Sequence, residues 1–205
     1  MIATIATAGP SPRIIVLSAG FSARLGKPKA LARIGGMTLL QRTVRTVAPL
    51  TTAKVIIVLA PRAARARAEL RRERVEIIES RHRARGLSAS VRCGLRRAGY
   101  SAAVLLLPVD LPCLERRELR RLIIRWRSAR RAVVARRLGQ RAATPVIVPR
   151  RLYLQALKIT GDFGLKELVN GPGGARKLLD VPSAALDVDT PEDLRRARRR
   201  RLGRR

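Results

Sequence analysis

An alternation along the chain constrains the fold more than any other feature. Short β-branched and apolar runs occur at Ile14 to Leu17, Val55 to Leu59, Val75 to Ile78, Ala103 to Leu107, Ala132 to Ala135 and Val146 to Val148. Between them lie segments with apolar residues at helical spacing: Leu40, Val44 and Val47; Val91, Leu95 and Ala98; Leu119, Leu122, Ile123 and Trp126. Short β-branched runs fit strands, and apolar positions three or four apart turn one face of a helix toward a core. The alternation predicts parallel βαβ units. Continuous apolar strands need cover on both faces, so the fold class is α/β: a three-layer α/β/α sandwich with a mostly parallel, Rossmann-like doubly wound sheet. Ligands of such sheets bind beyond the carboxyl ends of the strands, which turns attention to the loops that follow them.

The length of 205 residues suits one domain, expected over 13–194 between a flexible N-terminal tail, 1–12, and an arginine-rich C-terminal tail, 195–205. A net charge of +31 could serve a nucleic-acid partner, because basic surface neutralises phosphates and releases counterions. The five aromatic residues, Phe21, Tyr100, Trp126, Tyr153 and Phe163, are too few and scattered to stack successive bases. No nucleic-acid motif accompanies the charge. A solvated basic surface is therefore favoured over nucleic-acid binding, which stays as the non-enzymatic alternative. Lys or Arg interrupts every apolar run before it reaches the roughly 18 residues of a membrane span, and no basic segment precedes an apolar one at the N-terminus. A cytoplasmic protein without membrane partners is expected. Cys93, Cys113 and the single His82 provide neither a zinc cluster nor a Cys-His or Ser-His-Asp arrangement.

The loop after the first strand reads Leu17-Ser18-Ala19-Gly20-Phe21-Ser22-Ala23-Arg24-Leu25-Gly26-Lys27-Pro28-Lys29. Gly20 and Gly26 allow amide groups to approach an anion, and Arg24 and Lys29 add positive charge. The first acidic residue is Glu69, so nothing in the preceding chain competes for those cations. The same loop also reads as an ordinary glycine-rich βα turn, and it fits neither GxxxxGK[ST] nor GxGxxG. Asp110, in Pro108-Val109-Asp110-Leu111-Pro112, ends the fourth apolar run. It suits either a Mg²⁺ ligand or the N-cap of a helix starting near Glu115. In Gly86-Leu87-Ser88-Ala89-Ser90 the serines either cap a helix or contact a ligand. Near the end, Thr190, Pro191 and Asp193 read as N-cap, N1 and N3 of a helix. Asp187 and Asp189 before them alternate on a short strand and so face opposite ways. Thr160 to Lys166 reads as a turn followed by a helix.

Taken together, these segments resemble the MobA-like NTP transferases, and within them the cytidylyltransferase branch. Leu17 to Lys29 is similar to the signature LAAGxSxRxGxPK, Asp110-Leu111-Pro112 to an Asp-x-Pro, Gly86 to Gly94 to GLSSS followed by SLxxG, and Asp187 to Leu194 to DxDTPEDL. The resemblance implies a fold of the nucleotide-diphospho-sugar transferase type and a nucleotidyltransferase that passes CMP from CTP to the terminal phosphate of molybdenum-molybdopterin, releasing pyrophosphate. It implies nucleotide binding by Leu17, Ser18, Ala19, Gly20, Ser22, Arg24, Lys29, Gly86, Ser88 and Ser90, and catalysis by Arg24, Lys29 and Asp110. Mg²⁺ is the implied cofactor, held by Asp110 and Asp189. Asp162, Gly164 and Lys166 match a GDxGAR segment on the acceptor side, with Leu165 and Lys166 where Ala and Arg are usual. A molybdoenzyme or its chaperone is the further partner this resemblance implies. GTP in place of CTP, and another small phosphorylated acceptor, are the alternatives within the family.

Overall fold

The computed structural model describes residues 10–20, 23–81, 87–158, 164–171 and 174–202. The first half of the chain forms β1 (Arg13–Ser18), β2 (Arg33–Ile34), β3 (Met37–Thr38), α1 (Leu39–Val47), β4 (Val55–Leu59), α2 (Ala64–Glu69), β5 (Val75–Glu79) and α3 (Leu87–Ala98). The second half continues with β6 (Ala103–Pro108), α4 (Arg116–Arg127), β7 (Val133–Leu138), β8 (Arg141–Pro149), α5 (Tyr153–Lys158), α6 (Gly164–Asn170), β9 (Arg176–Leu179) and α7 (Pro191–Leu202).

Among the described residues seven strands make one sheet in the order β5-β4-β1-β6-β8-β7-β9, while β2 and β3 pair as a separate ribbon. Alternate residues of each strand point to opposite faces. In β1, Ile14 and Val16 join a core with Leu40 and Val44 of α1, Leu119 and Trp126 of α4 and Ala197 of α7. Ile15 and Leu17 join another with Val91 and Leu95 of α3, Ala156 of α5 and Val169 of α6. The two apolar faces are thus each roofed by helices, which gives the expected three layers. Among the described residues no helix is long and apolar enough to cross a membrane.

One strand departs from the expected direction. β8 pairs antiparallel with both β6 and β7, whereas the remaining sheet pairings are parallel. Gly139, at φ +58°, turns the chain between β7 and β8, so these two runs form a hairpin and not a βαβ unit. The reversal brings Ala142 and Ala143, at the start of β8, to the edge where β1, β4 and β6 end.

α3 lies unusually close to the sheet. A Cβ at Gly94 would stand 2.7 Å from Ile15 Cγ2 and 3.4 Å from Val58 Cγ2. At the outer edges, Glu76 of β5 pairs with Arg13 at 3.5 Å and with Arg97, and Glu79 pairs with Arg67 at 2.7 Å. The opposite edge, β9, begins with exposed Arg176 and Lys177.

Candidate functional site

The site begins with two adjacent strands. β1 and β6 run in parallel, with Leu17 beside Pro108, so the loops after both leave the same edge of the sheet. Val109 N–H donates to Leu17 O at 3.2 Å and carries the pairing one residue past β6. Asp110 therefore emerges next to the β1 loop. It does not cap α4, whose N-cap is Glu115.

The β1 loop returns toward Asp110 through two 3-10 turns, Ala23–Leu25 and Lys29–Leu31, with Gly26 at φ +68° between them. Only glycine adopts that conformation without strain. The second turn is fixed by Leu31 N–H to Pro28 O at 2.9 Å and Ala32 N–H to Lys29 O at 3.0 Å, with Ala30 and Ala32 buried. From this firm base the Lys29 ammonium donates to Asp110 Oδ2 at 3.0 Å and, more closely, to Asp189 Oδ1. Burial works against the Lys29 charge, but hydrogen bonding and attraction from Asp189 and Asp110 outweigh it and hold its pKa above the ordinary lysine value.

Asp189 reaches this point from the far end of the chain, and not on a strand. Residues 186–189 lack regular secondary structure, which corrects the alternating short strand expected there. Val188 N–H donates to Asp110 O at 3.0 Å, tying the two aspartate segments by their backbones. The capping residues expected at α7 are in place: Asp193 N–H donates to Thr190 Oγ1 at 3.2 Å, and Asp193 Oδ2 accepts from Thr190 N–H at 3.0 Å. The same oxygen accepts from Asp189 N–H at 3.2 Å, so the cap also fixes the backbone that presents Asp189. Replacing Thr190 by Ala is expected to lower unfolding stability by about 1 kcal/mol. Urea titration measures this directly, and an unchanged midpoint would mean that the cap contributes nothing.

Several site residues were not legible in the sequence. Arg136 of β7, its side chain 13% exposed, donates to Ala184 O and lies 4.0 Å from Asp187 Oδ1. Glu118 of α4 accepts from Ser183 N–H at 3.2 Å and from its hydroxyl. These contacts anchor the segment leading to Asp187 and Asp189. The Asp187 side chain remains 55% exposed, yet partial burial and then the negative charge of Asp110 raise its pKa, against Arg136. Elsewhere arginine takes the acids: Arg33 pairs Glu69, Arg45 pairs Glu73, and Arg137 pairs Asp180. Asp110 and Asp189 instead share a lysine.

The other expected residues divide clearly. Ser18 ends β1 with its hydroxyl buried and without a hydrogen-bond partner among the described residues. Leu17 and Ala19 are buried, Gly20 has open space around it, and Arg24 is exposed. Ser88 and Ser90 are buried in the first turn of α3. Gly164 opens α6, and Lys166 is exposed on it. Asn170, missed in the sequence, clamps α6 to β8 by accepting from Ala142 N–H at 2.7 Å and donating to Ala142 O at 3.0 Å. Ser22, Gly86, Asp162 and His82 lie outside the described residues.

Two carboxylates aimed at one positive charge form a donor set that fits a hard divalent cation. Mg²⁺ commonly takes one or two carboxylates and fills its remaining positions with waters and phosphate oxygens. Among the described residues no group of three or more His, Cys, Asp or Glu side chains is placed to hold a metal. The pair Asp110 and Asp189 is therefore the candidate.

Known proteins share this fold. Rv0371c from Mycobacterium tuberculosis H37Rv is 28% identical, with a TM-score of 0.77 over 92% of this chain and 99% of that one. Its complex with manganese superposes with a TM-score of 0.74 at 26% identity, over 92% of this chain and 98% of that one. A nucleotidyl transferase from Methanothermobacter thermautotroptrophicus (Mth528) is 21% identical, with a TM-score of 0.82 over 96% of this chain and 100% of that one. The bifunctional enzyme IspD/IspF of Clavibacter michiganensis is 43% identical over 58 residues, which are 27% of this chain and 14% of that protein's length. The chain thus spans a small fraction of this curated relative. Residues 14–179, from the first sheet strand to the last and including both the β1 loop and Asp110, match the MobA-like NTP transferase domain, and the chain belongs to that family.

Proposed function

We propose that the chain is a nucleotidyltransferase that moves CMP from CTP to the terminal phosphate of molybdenum-molybdopterin and releases pyrophosphate. The observation that carries this reading is the meeting of Lys29, Asp110 and Asp189 beside the β1 loop, at the carboxyl edge of the sheet. Family membership supports nucleotidyl transfer. The choice of CTP is supported by the likeness of Gly86 to Ser90 to the cytidylyltransferase segment, and the acceptor by that of Asp162 to Lys166 to the GDxGAR segment.

An ionised phosphate oxygen of the acceptor attacks the α-phosphorus, and the bond from that phosphorus to the oxygen bridging the β-phosphate breaks. A lone pair of the attacking oxygen becomes the new bond to phosphorus, and the electrons of the broken bond leave on the pyrophosphate oxygen. Because the attacking oxygen is already ionised, no proton must move and no general base is required. This agrees with a site built of cations and carboxylates, since phosphoryl transfer chiefly needs positioning and charge neutralisation. Arg24 and Lys29 would stabilise the departing pyrophosphate. Asp110 and Asp189 would hold Mg²⁺, which when bound neutralises phosphate charge. The Ser18 hydroxyl, unpartnered among the described residues, would take a hydrogen bond from the nucleotide, because a buried polar group left unpaired costs about 1–3 kcal/mol.

Calorimetric titration of CTP and GTP, each with Mg²⁺, tests the base assignment. CTP is expected to bind at least about tenfold more tightly, or ~1.4 kcal/mol. Equal affinities would overturn it. Binding that is indifferent to the base and collapses between about 50 and 200 mM salt would indicate polyanion binding instead.

A further inference from the structure

We infer that Lys29 guards the metal site: its ammonium holds Asp110 and Asp189 until a nucleotide triphosphate draws it away, so that metal and nucleotide bind as a coupled pair. This rests on the proposed function and adds to it the order imposed on the two ligands.

The geometry makes the two cations rivals. Lys29 Nζ lies 3.0 Å from Asp110 Oδ2 and closer still to Asp189 Oδ1. A Mg²⁺ ion bound to those oxygens at about 2.0–2.1 Å would crowd the ammonium with like charge. Metal entry alone would also take from Lys29 its two carboxylate contacts. The triphosphate changes that balance by offering Lys29 a second set of anionic oxygens.

Lys29 is able to make the exchange. Its backbone is fixed by the 3-10 turn, whereas its side chain is a compact charge on a flexible four-carbon stem. The two carboxylates sit on much shorter stems, and their backbones are held as well: Val188 N–H to Asp110 O joins their segments and Asp193 fixes the Asp189 backbone. One long-stemmed cation between two short-stemmed anions makes an interlock, in which each ligand helps the other to bind.

Titrating Mn²⁺ alone into chelator-stripped wild type, Lys29→Met and Lys29→Gln tests the interlock without relying on turnover. Both variants are expected to bind Mn²⁺ at least about tenfold more tightly than wild type, within the roughly 5–150-fold span of binding couplings. In wild type, addition of CTP is expected to tighten Mn²⁺ binding, and in the variants that gain is expected to shrink. Unchanged or weaker Mn²⁺ binding in both folded variants, with binding still abolished by Asp110→Asn, would overturn the interlock and leave the metal assignment intact. Mn²⁺ binding insensitive to Asp110→Asn would overturn both.

Discussion

Asp110→Asn is expected to release pyrophosphate at least about a hundredfold more slowly than wild type, the scale of losing one electrostatic contact to developing charge. Asparagine has nearly the same shape, and the backbone bond from Val188 N–H to Asp110 O does not involve the side chain. The variant should therefore fold while lacking one of the two charges that face Lys29. Folding is checked by its unfolding transition and activity by a pyrophosphatase-coupled phosphate assay with CTP, molybdenum-molybdopterin and saturating Mg²⁺. Activity within a few-fold of wild type would remove Asp110 from the chemistry.

A second large effect is expected in packing. Gly94→Val places a Cβ 2.7 Å from Ile15 Cγ2, inside the core between α3 and the sheet. Ile15 is fully buried, so it cannot swing aside as an exposed side chain would. Overpacking of this kind costs about 3 kcal/mol, and the β-branched valine adds poor helix propensity. The melting temperature should fall by about 6–12 °C for a domain of this size. Gly94→Ala should fall less, because alanine regains about 1 kcal/mol of helix propensity. Since α3 also presents Ser88 and Ser90, displacing it is expected to weaken CTP binding. A melting temperature within about 2 °C of wild type for Gly94→Val would show that α3 can lift from the sheet at little cost.

Much of the fold was legible because burial on both faces forces a recognisable run of apolar residues. Five of the six runs lie within a sheet strand, and the sixth, Ala132 to Ala135, begins one residue before β7. The direction of β8 was not legible, since Val146 to Val148 reads equally well either way up. The cue that could have found it was Gly139, two residues before Arg141, a hairpin signal between two apolar runs. β9 escaped because Arg176 and Lys177 interrupt its pattern, and β2 and β3 because two residues carry no period. At the site, Asp110 and Lys29 could be found from local sequence. Arg136 could not, because its neighbours Ala184 and Asp187 lie 48 residues or more along the chain and only the sheet brings them together. The Asp187 to Asp189 segment was misread because alternation of polar and apolar residues also arises where a single buried side chain, Val188, pins an irregular segment.

The two outermost strands of the sheet, β5 and β9, share one chemical feature. A strand from another copy that tried to extend the sheet at β5 would meet Glu76 and Glu79 already covered by arginines, and at β9 it would meet Arg176 and Lys177. Charged side chains are a common defence of exposed edges. On a chain of net charge +31, both rims present cations, so copies repel where their backbones could otherwise join. Exchanging Arg67, Arg97, Arg176 and Lys177 for neutral residues is expected to weaken that repulsion and to favour association of copies through their sheet edges.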